Sequence, residues 1–374
     1  MKKRILSIVL SIVMLVSLLP TTALALETPS HTDHCVCGGS VTAGDHTHDA
    51  AASTWKAWNG EDAKPFAAGI QLETGNYYLT GNLTLSDTIR ISGTVNLCLN
   101  GHSITTSETN AINVSSGTTL NICDCSEEGL GSISTTGDGS EGDVIYNYYG
   151  TVNVYGGSIS ATGSRGDGIY NIGNGTKGVV NIYGGNISVE TSNLYYGIRN
   201  KGGIVNVYDG SISALGDSPY GIYSTHSATV SGGTVSGSTS GIHNANADAI
   251  LIVSGSASVI GDSYGISSYY GNLQLSGNPG ITGGSADIRL DGGTNNAPTI
   301  GIDGVLANTE KYTVMTYQTP TTENPVVFTS AVDEGNADKF ESANPEYQVI
   351  YKVEAKAFSQ RTCFPCFKKV MAWL

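Results

Sequence analysis

The chain has 374 residues, a formal charge of −14 and only 13% charged residues, with 49 glycines. That acidity argues against nucleic acid and anionic lipid as partners. Seven cysteines cannot all pair within one chain, so a closed disulfide framework is excluded.

Met1-Lys2-Lys3-Arg4 is a basic start, Ile5 to Leu19 an apolar run, and Ala23-Leu24-Ala25 a small-residue cleavage site. Residues 1–25 therefore read as a secretory signal peptide, and the protein is expected to be secreted or held at the cell surface. Its removal takes away three cations and brings the formal charge to −17. No later apolar run is long enough to span a bilayer, so the mature chain is expected to have no transmembrane segment. No C-terminal wall-sorting motif is seen either.

Residues 26–75 differ in composition and form a Cys/His-rich segment and cap. Cys35-x-Cys37 followed by His46-x-His48 supplies four soft or borderline ligands, because alternate strand positions point to one face, and zinc is the expected occupant. The alternative is a disulfide or free thiols beside solvated histidines. Trp55 and Trp58 follow, where they would cover an open sheet edge.

From residue 76 to 295 one unit recurs. Its first apolar run appears as Val95-Asn96-Leu97, Leu120-Asn121-Ile122, Val152-Asn153-Val154, Val180-Asn181-Ile182, Val205-Asn206-Val207, Ala228-Thr229-Val230, Leu251-Ile252-Val253 and Leu273-Gln274-Leu275, spaced 22 to 32 residues apart. Such a period belongs to solenoids. Apolar and polar residues alternate as in half-buried strands. Two further columns align, Ile104, Ile133, Ile159, Ile187, Ile212, Val235, Val259, Ile281 and then Ile112, Ile145, Ile169, Ile198, Ile222, Ile242, Ile266, Ile288. Three short strands in roughly 25 residues leave no room for a crossover helix. The spacing predicts an all-β, right-handed parallel β-helix of about eight coils, three strands per coil, with terminal caps; the hand follows the rule for parallel crossovers. Gly-Gly pairs such as Gly156-Gly157 mark one corner. Asn147, Asn171, Asn200 and Asn244 follow the third strand, where their amides are expected to stack inward. Cys98 and Cys123 share one column a coil apart, which predicts stacked thiols, with a disulfide as the alternative.

Three stretches carry a resemblance: Asn76-Tyr77-Tyr78-Leu79-Thr80, Leu97-Cys98-Leu99-Asn100-Gly101-His102-Ser103-Ile104 and Leu120-Asn121-Ile122-Cys123-Asp124-Cys125-Ser126, preceded by His34-Cys35-Val36-Cys37-Gly38-Gly39. The sequence resembles secreted, surface-associated right-handed β-helix repeat proteins of Gram-positive gut-type bacteria, with the pectin-lyase-like fold. The resemblance covers residues 31 to about 350 and implies action at the cell surface on glycans or host matter. The downstream repeats and anchoring modules common in that group are not seen here.

Past Asp291 the repeat fades. Tyr312 to Tyr317, Pro325 to Thr329 and Tyr347 to Val353 read as strands of a C-terminal β cap over residues 296–355. Residues 356–374, basic and containing Cys363-Phe364-Pro365-Cys366, match neither the repeat nor a thioredoxin-type unit, and are expected to be a disordered tail.

The alternation points two sets of residues outward: Tyr146, Tyr170, Arg199, Tyr223, His243 and Ser267 on the third strand, and Tyr155, Tyr183 and Tyr208 on the first. Sugar rings stack on tyrosine while their hydroxyls seek charged partners, so the third-strand column, Tyr146, Tyr170, Arg199, Tyr223 and His243, is the candidate ligand site. Tyrosine ladders also stabilise a β-helix by stacking on one another. For catalysis the pair is Asp143 and Asp167, equivalent positions of adjacent coils; close carboxylates suit glycoside cleavage or calcium. A lyase, however, wants a cationic base and clamp, and the repeats hold few cations. The expected function is a non-catalytic secreted or cell-surface protein binding extracellular, host or cell-wall glycan, or an adhesin-like scaffold. A polysaccharide lyase or glycoside hydrolase, and a purely structural stalk, are the alternatives.

Overall fold

The computed structural model describes residues 55–350, apart from short gaps at 61–63, 67–68, 127–128, 136–141, 163–165, 192–194, 218, 293–297, 320–325, 328, 331–335 and 337, together with residues 369–373. The candidate zinc ligands Cys35, Cys37, His46 and His48 and the signal peptide lie outside the described residues. No helix among the described residues is long and apolar enough to cross a membrane.

The chain winds as a parallel β-helix of the right-handed type, about ten turns long, walled by three sheets of 12, 9 and 13 strands. The aligned columns are the observed register. In the first sheet Val95, Leu120, Val152, Val180, Val205, Ala228, Leu251 and Leu273 are successive partners. The second sheet pairs Ile104 through Ile281, and the third pairs Ile112 through Ile288 in the same manner. All of these side chains are buried, each contributing about 1.5–3 kcal/mol by removal from water if a full-sized Val, Leu or Ile.

The coil count exceeds the eight expected. Lys56–Trp58 pairs with the strand Gly75–Leu79 ahead of the first aligned unit, with Trp58 wholly buried. Beyond the last unit, Ile300–Asp303 pairs with Asn272–Ser276, and Tyr312–Thr316 with Ala286–Asp291, all in parallel. The terminal coils keep the apolar-in alternation but lie outside the run of eight copies that the apolar alignment recognises. Val326–Val327, Tyr347–Ile350 and Lys369–Trp373 form a separate three-stranded sheet.

Two asparagine ladders run along the coil. Inside, Asn147 Nδ2 donates to Asn171 Oδ1 (2.7 Å), Asn171 to Asn200 Oδ1 (2.9 Å) and Asn200 to Ser224 Oγ (3.0 Å). Each amide also donates to a turn carbonyl, that of Gly150, Gly178 or Gly203. Burial makes these bonds obligatory, since no water can replace a missing partner. A second ladder, on the outward face of the first sheet, links Asn76, Asn96, Asn121, Asn153, Asn181 and Asn206 through one amide bond per coil.

Candidate functional site

The outer face of the third sheet carries the strip, because the period of two that buries each column isoleucine turns the next residue outward. Tyr146, Tyr170, Arg199, Tyr223 and His243 are consecutive register partners, continued by Ser267 and Arg289. All five predicted ligand residues therefore stand in one line. A second column runs beside it, Tyr196, Tyr220, Ser240 and Tyr264, again in register. These residues precede the Gly-Ile pairs at 197–198, 221–222, 241–242 and 265–266; that recurrence was the available signal, and alternation alone missed it.

The two columns interleave. Tyr196 stacks on Tyr223 (centroids 4.9 Å apart) and on Tyr220 (5.7 Å), and Tyr220 stacks on His243 (4.6 Å). Tyr146 meets Tyr170 edge to face at 5.7 Å. The Arg199 guanidinium sits 4.8 Å from the Tyr170 ring centre, 5.7 Å from that of Tyr196, and 3.9 Å from Asp167 Oδ2. Farther along, Arg289 lies 4.8 Å over Tyr264 and pairs with Asp291 at 2.6 Å. Burial pushes the Tyr196 phenol up to about 12, against the opposing pull of Arg199. Burial, with Arg289 adding to it, pulls His243 down to about 4, so its imidazole is neutral at ordinary pH.

Each end of the strip carries an exposed tyrosine pair. Tyr148 and Tyr149 meet edge to face at 4.6 Å, as do Tyr269 and Tyr270; Tyr148 is 47% and Tyr269 44% exposed. Tyr149 (φ 62°) and Tyr270 (φ 83°) occupy the left-handed region, two residues past the inward polar ladder, where Gly202 (φ 77°) stands in an intervening coil. A bulky residue there costs roughly 1–2 kcal/mol.

The first-sheet tyrosines are different. Tyr155, Tyr183 and Tyr208 stack face to face at 4.8 and 4.9 Å, nearly parallel, so the middle ring has both faces covered.

Asp143 and Asp167 also fall in line, with Tyr196 next. Asp143 N–H donates to Asn110 Oδ1 (3.2 Å), Asp167 N–H to Asp143 Oδ1 (3.1 Å), and Tyr196 N–H to Asp167 Oδ1 (2.9 Å). One oxygen of each carboxylate thus accepts the backbone of the next coil, and Asp167 is 1% exposed. The arrangement can end strands and anchor Arg199; a free nucleophile or a water-activating base needs an oxygen open to substrate.

No protein family, curated protein or solved structure matches this chain.

A third cluster lies where the first sheet turns. Cys98 and Cys123 are register partners with free thiols, as stacking requires. Cys125, which belongs to no column, is likewise in no disulfide, and its sulfur lies 3.2 Å from that of Cys98.

Proposed function

We propose that the protein is a non-catalytic β-helix glycan-binding protein, working outside the cell or on its surface, with the third sheet as the binding face. The observation that carries this reading is the strip itself. Over successive coils it lines up Tyr146, Tyr170, Arg199, Tyr223 and His243, joining an edge-to-face tyrosine pair and a guanidinium to a stacked aromatic patch, a mixture that the all-tyrosine stack of the first sheet lacks. Coils advance by about 4.8 Å, comparable with one pyranose unit, so an extended polysaccharide lying along the axis meets equivalent groups repeatedly. Apolar sugar faces pack on aromatic rings, while hydroxyls exchange hydrogen bonds with phenols and accept them from the guanidinium. The basic, apolar start of the chain and its resemblance to secreted surface β-helix proteins support the location.

The test is retention on a panel of immobilised host, cell-wall and plant glycans, with reducing and unsaturated ends measured in the same samples. The expected result is retention of at least one glycan without cleavage, lost in the Tyr170→Ala/Tyr223→Ala double variant. No retention on any glycan, or retention untouched by the double variant, overturns the reading. New ends abolished by Asp167→Asn would establish the glycoside hydrolase or polysaccharide lyase alternative instead.

A further inference from the structure

We propose that Cys98, Cys123 and Cys125 form a metal site that holds one thiophilic ion, zinc, through three thiolates, with water in the fourth position. The three sulfurs all lie within 4.8 Å of one another, and Cys98 to Cys125 is 3.2 Å. With one edge that short and none longer than the limit, some point lies within roughly 2.6 Å of all three, against about 2.3 Å for a zinc–thiolate bond. A shift of a few tenths of an ångström closes the site.

The convergence is built by the backbone. Cys98 and Cys123 end adjacent parallel strands in register, which separates their Cα atoms by about 4.8 Å with side chains parallel. Cys125 is brought back towards them by the turn after Cys123, and Asp124 holds that turn. Its Oδ1 accepts Gly101 N–H (2.8 Å), and its Oδ2 accepts Gly131 N–H (2.7 Å) and the Ser126 hydroxyl (2.9 Å). Gly131 leaves room for this, since a Cβ there would meet Asp124 Cγ at 2.7 Å and Leu99 Cβ at 2.5 Å. The geometry of the third thiol is therefore fixed in advance, as a ligand set requires.

The donor set selects the ion. Three sulfurs without a carboxylate or imidazole in the cluster favour a soft or borderline metal over calcium or magnesium. Zinc leaves one net negative charge, where a monovalent ion would leave two in a site of which Cys98 and Cys123 are buried. Cys125 is partly exposed, so water can reach the fourth position. Thiols bind zinc as thiolates and must give up their protons to do so. Binding therefore releases protons, and affinity falls as pH falls. A Cys98–Cys125 disulfide is the competing use of these sulfurs, formed by loss of two protons and two electrons to an oxidised dithiol; it would leave Cys123 unused.

The test uses the full chain carrying Cys35→Ser and Cys37→Ser, so that the N-terminal cluster does not contribute, reduced and freed of metal. Zinc is titrated against a chromophoric chelator, and cadmium is added separately to read the thiolate charge-transfer band. The expected result is one equivalent of either ion, with affinity rising with pH. Cys125→Ser, at the most exposed of the three positions, should weaken binding by at least about 100-fold while the far-ultraviolet β spectrum stays unchanged. Failure of the reduced parent to take up an ion, or equal uptake by Cys125→Ser, overturns the site. So does a Cys98–Cys125 disulfide in the isolated chain whose reduction yields no zinc binding.

Discussion

Replacing Asn171 with alanine should injure the fold far more than replacing Asn153, although both are asparagines in ladders of one bond per coil. The Asn171 amide donates to Asn200 Oδ1, to the carbonyl of Gly178 and, at 3.3 Å, to that of Ile204, while its oxygen accepts from Asn147. All of the side chains concerned are wholly buried. Alanine leaves Asn200 Oδ1 without its amide donor, which costs about 1–3 kcal/mol, and removes bonds worth about 1 kcal/mol each from partners that keep another. The sum is about 4–6 kcal/mol. Asn153 links Asn121 and Asn181 on a half-buried outer face, where water replaces the lost groups and the loss is below about 1 kcal/mol. The assay is guanidinium unfolding of the full chain followed by circular dichroism, comparing midpoints at unchanged slope. Asn171→Ser should fall between the two, because Ser224 already fills one rung of the column and accepts from Asn200 at 3.0 Å. Equal shifts for Asn171→Ala and Asn153→Ala would refute the argument that burial, rather than the ladder itself, sets the cost.

His243 is held below its unfolded value of about 6.5 at about 4 by burial and by Arg289. Its contribution is thus at full strength above pH 6.5 and is lost as pH falls towards 4, because the unfolded chain takes the proton first, an upper bound of about 3 kcal/mol; His243→Phe should flatten that part of the stability–pH curve. Asp167→Asn keeps an acceptor for Tyr196 N–H and should lower the melting temperature only slightly, whereas Asp167→Ala orphans that donor and should cost about 2–4 kcal/mol; equal losses would mean that the charge, not the cap, matters. Ile198→Ala, wholly buried between Ile169 and Ile222, should cost about 2–5 kcal/mol. Ile260→Ala, 42% exposed on the outer side of the second sheet, should be nearly neutral by the same unfolding assay.

The sequence by itself determined the solenoid, its three columns and the inward asparagines, because in a coil that pairs with its own copy each repeat position has one environment, and periodicity reports that environment directly. It also placed Tyr146, Tyr170, Arg199, Tyr223 and His243 on one line. It could not give the extra coils, since Trp58 and Ile300 fill the same interior positions in segments that are not recognisable copies of the repeating unit. Nor could alternation show the partner column of Tyr196, Tyr220 and Tyr264, which sits at a strand's entry where the period of two begins. Where a carboxylate or a thiol comes to lie was decided only by tertiary structure. Asp143 and Asp167 are a close pair on paper, but in the coil each carries a backbone N–H of the next turn. Cys125 belongs to no column, and a turn held by Asp124 brings it to Cys98. Both outcomes depend on where a loop closes between coils, a distance that repeat spacing leaves free and that hydrogen bonding across adjacent turns sets.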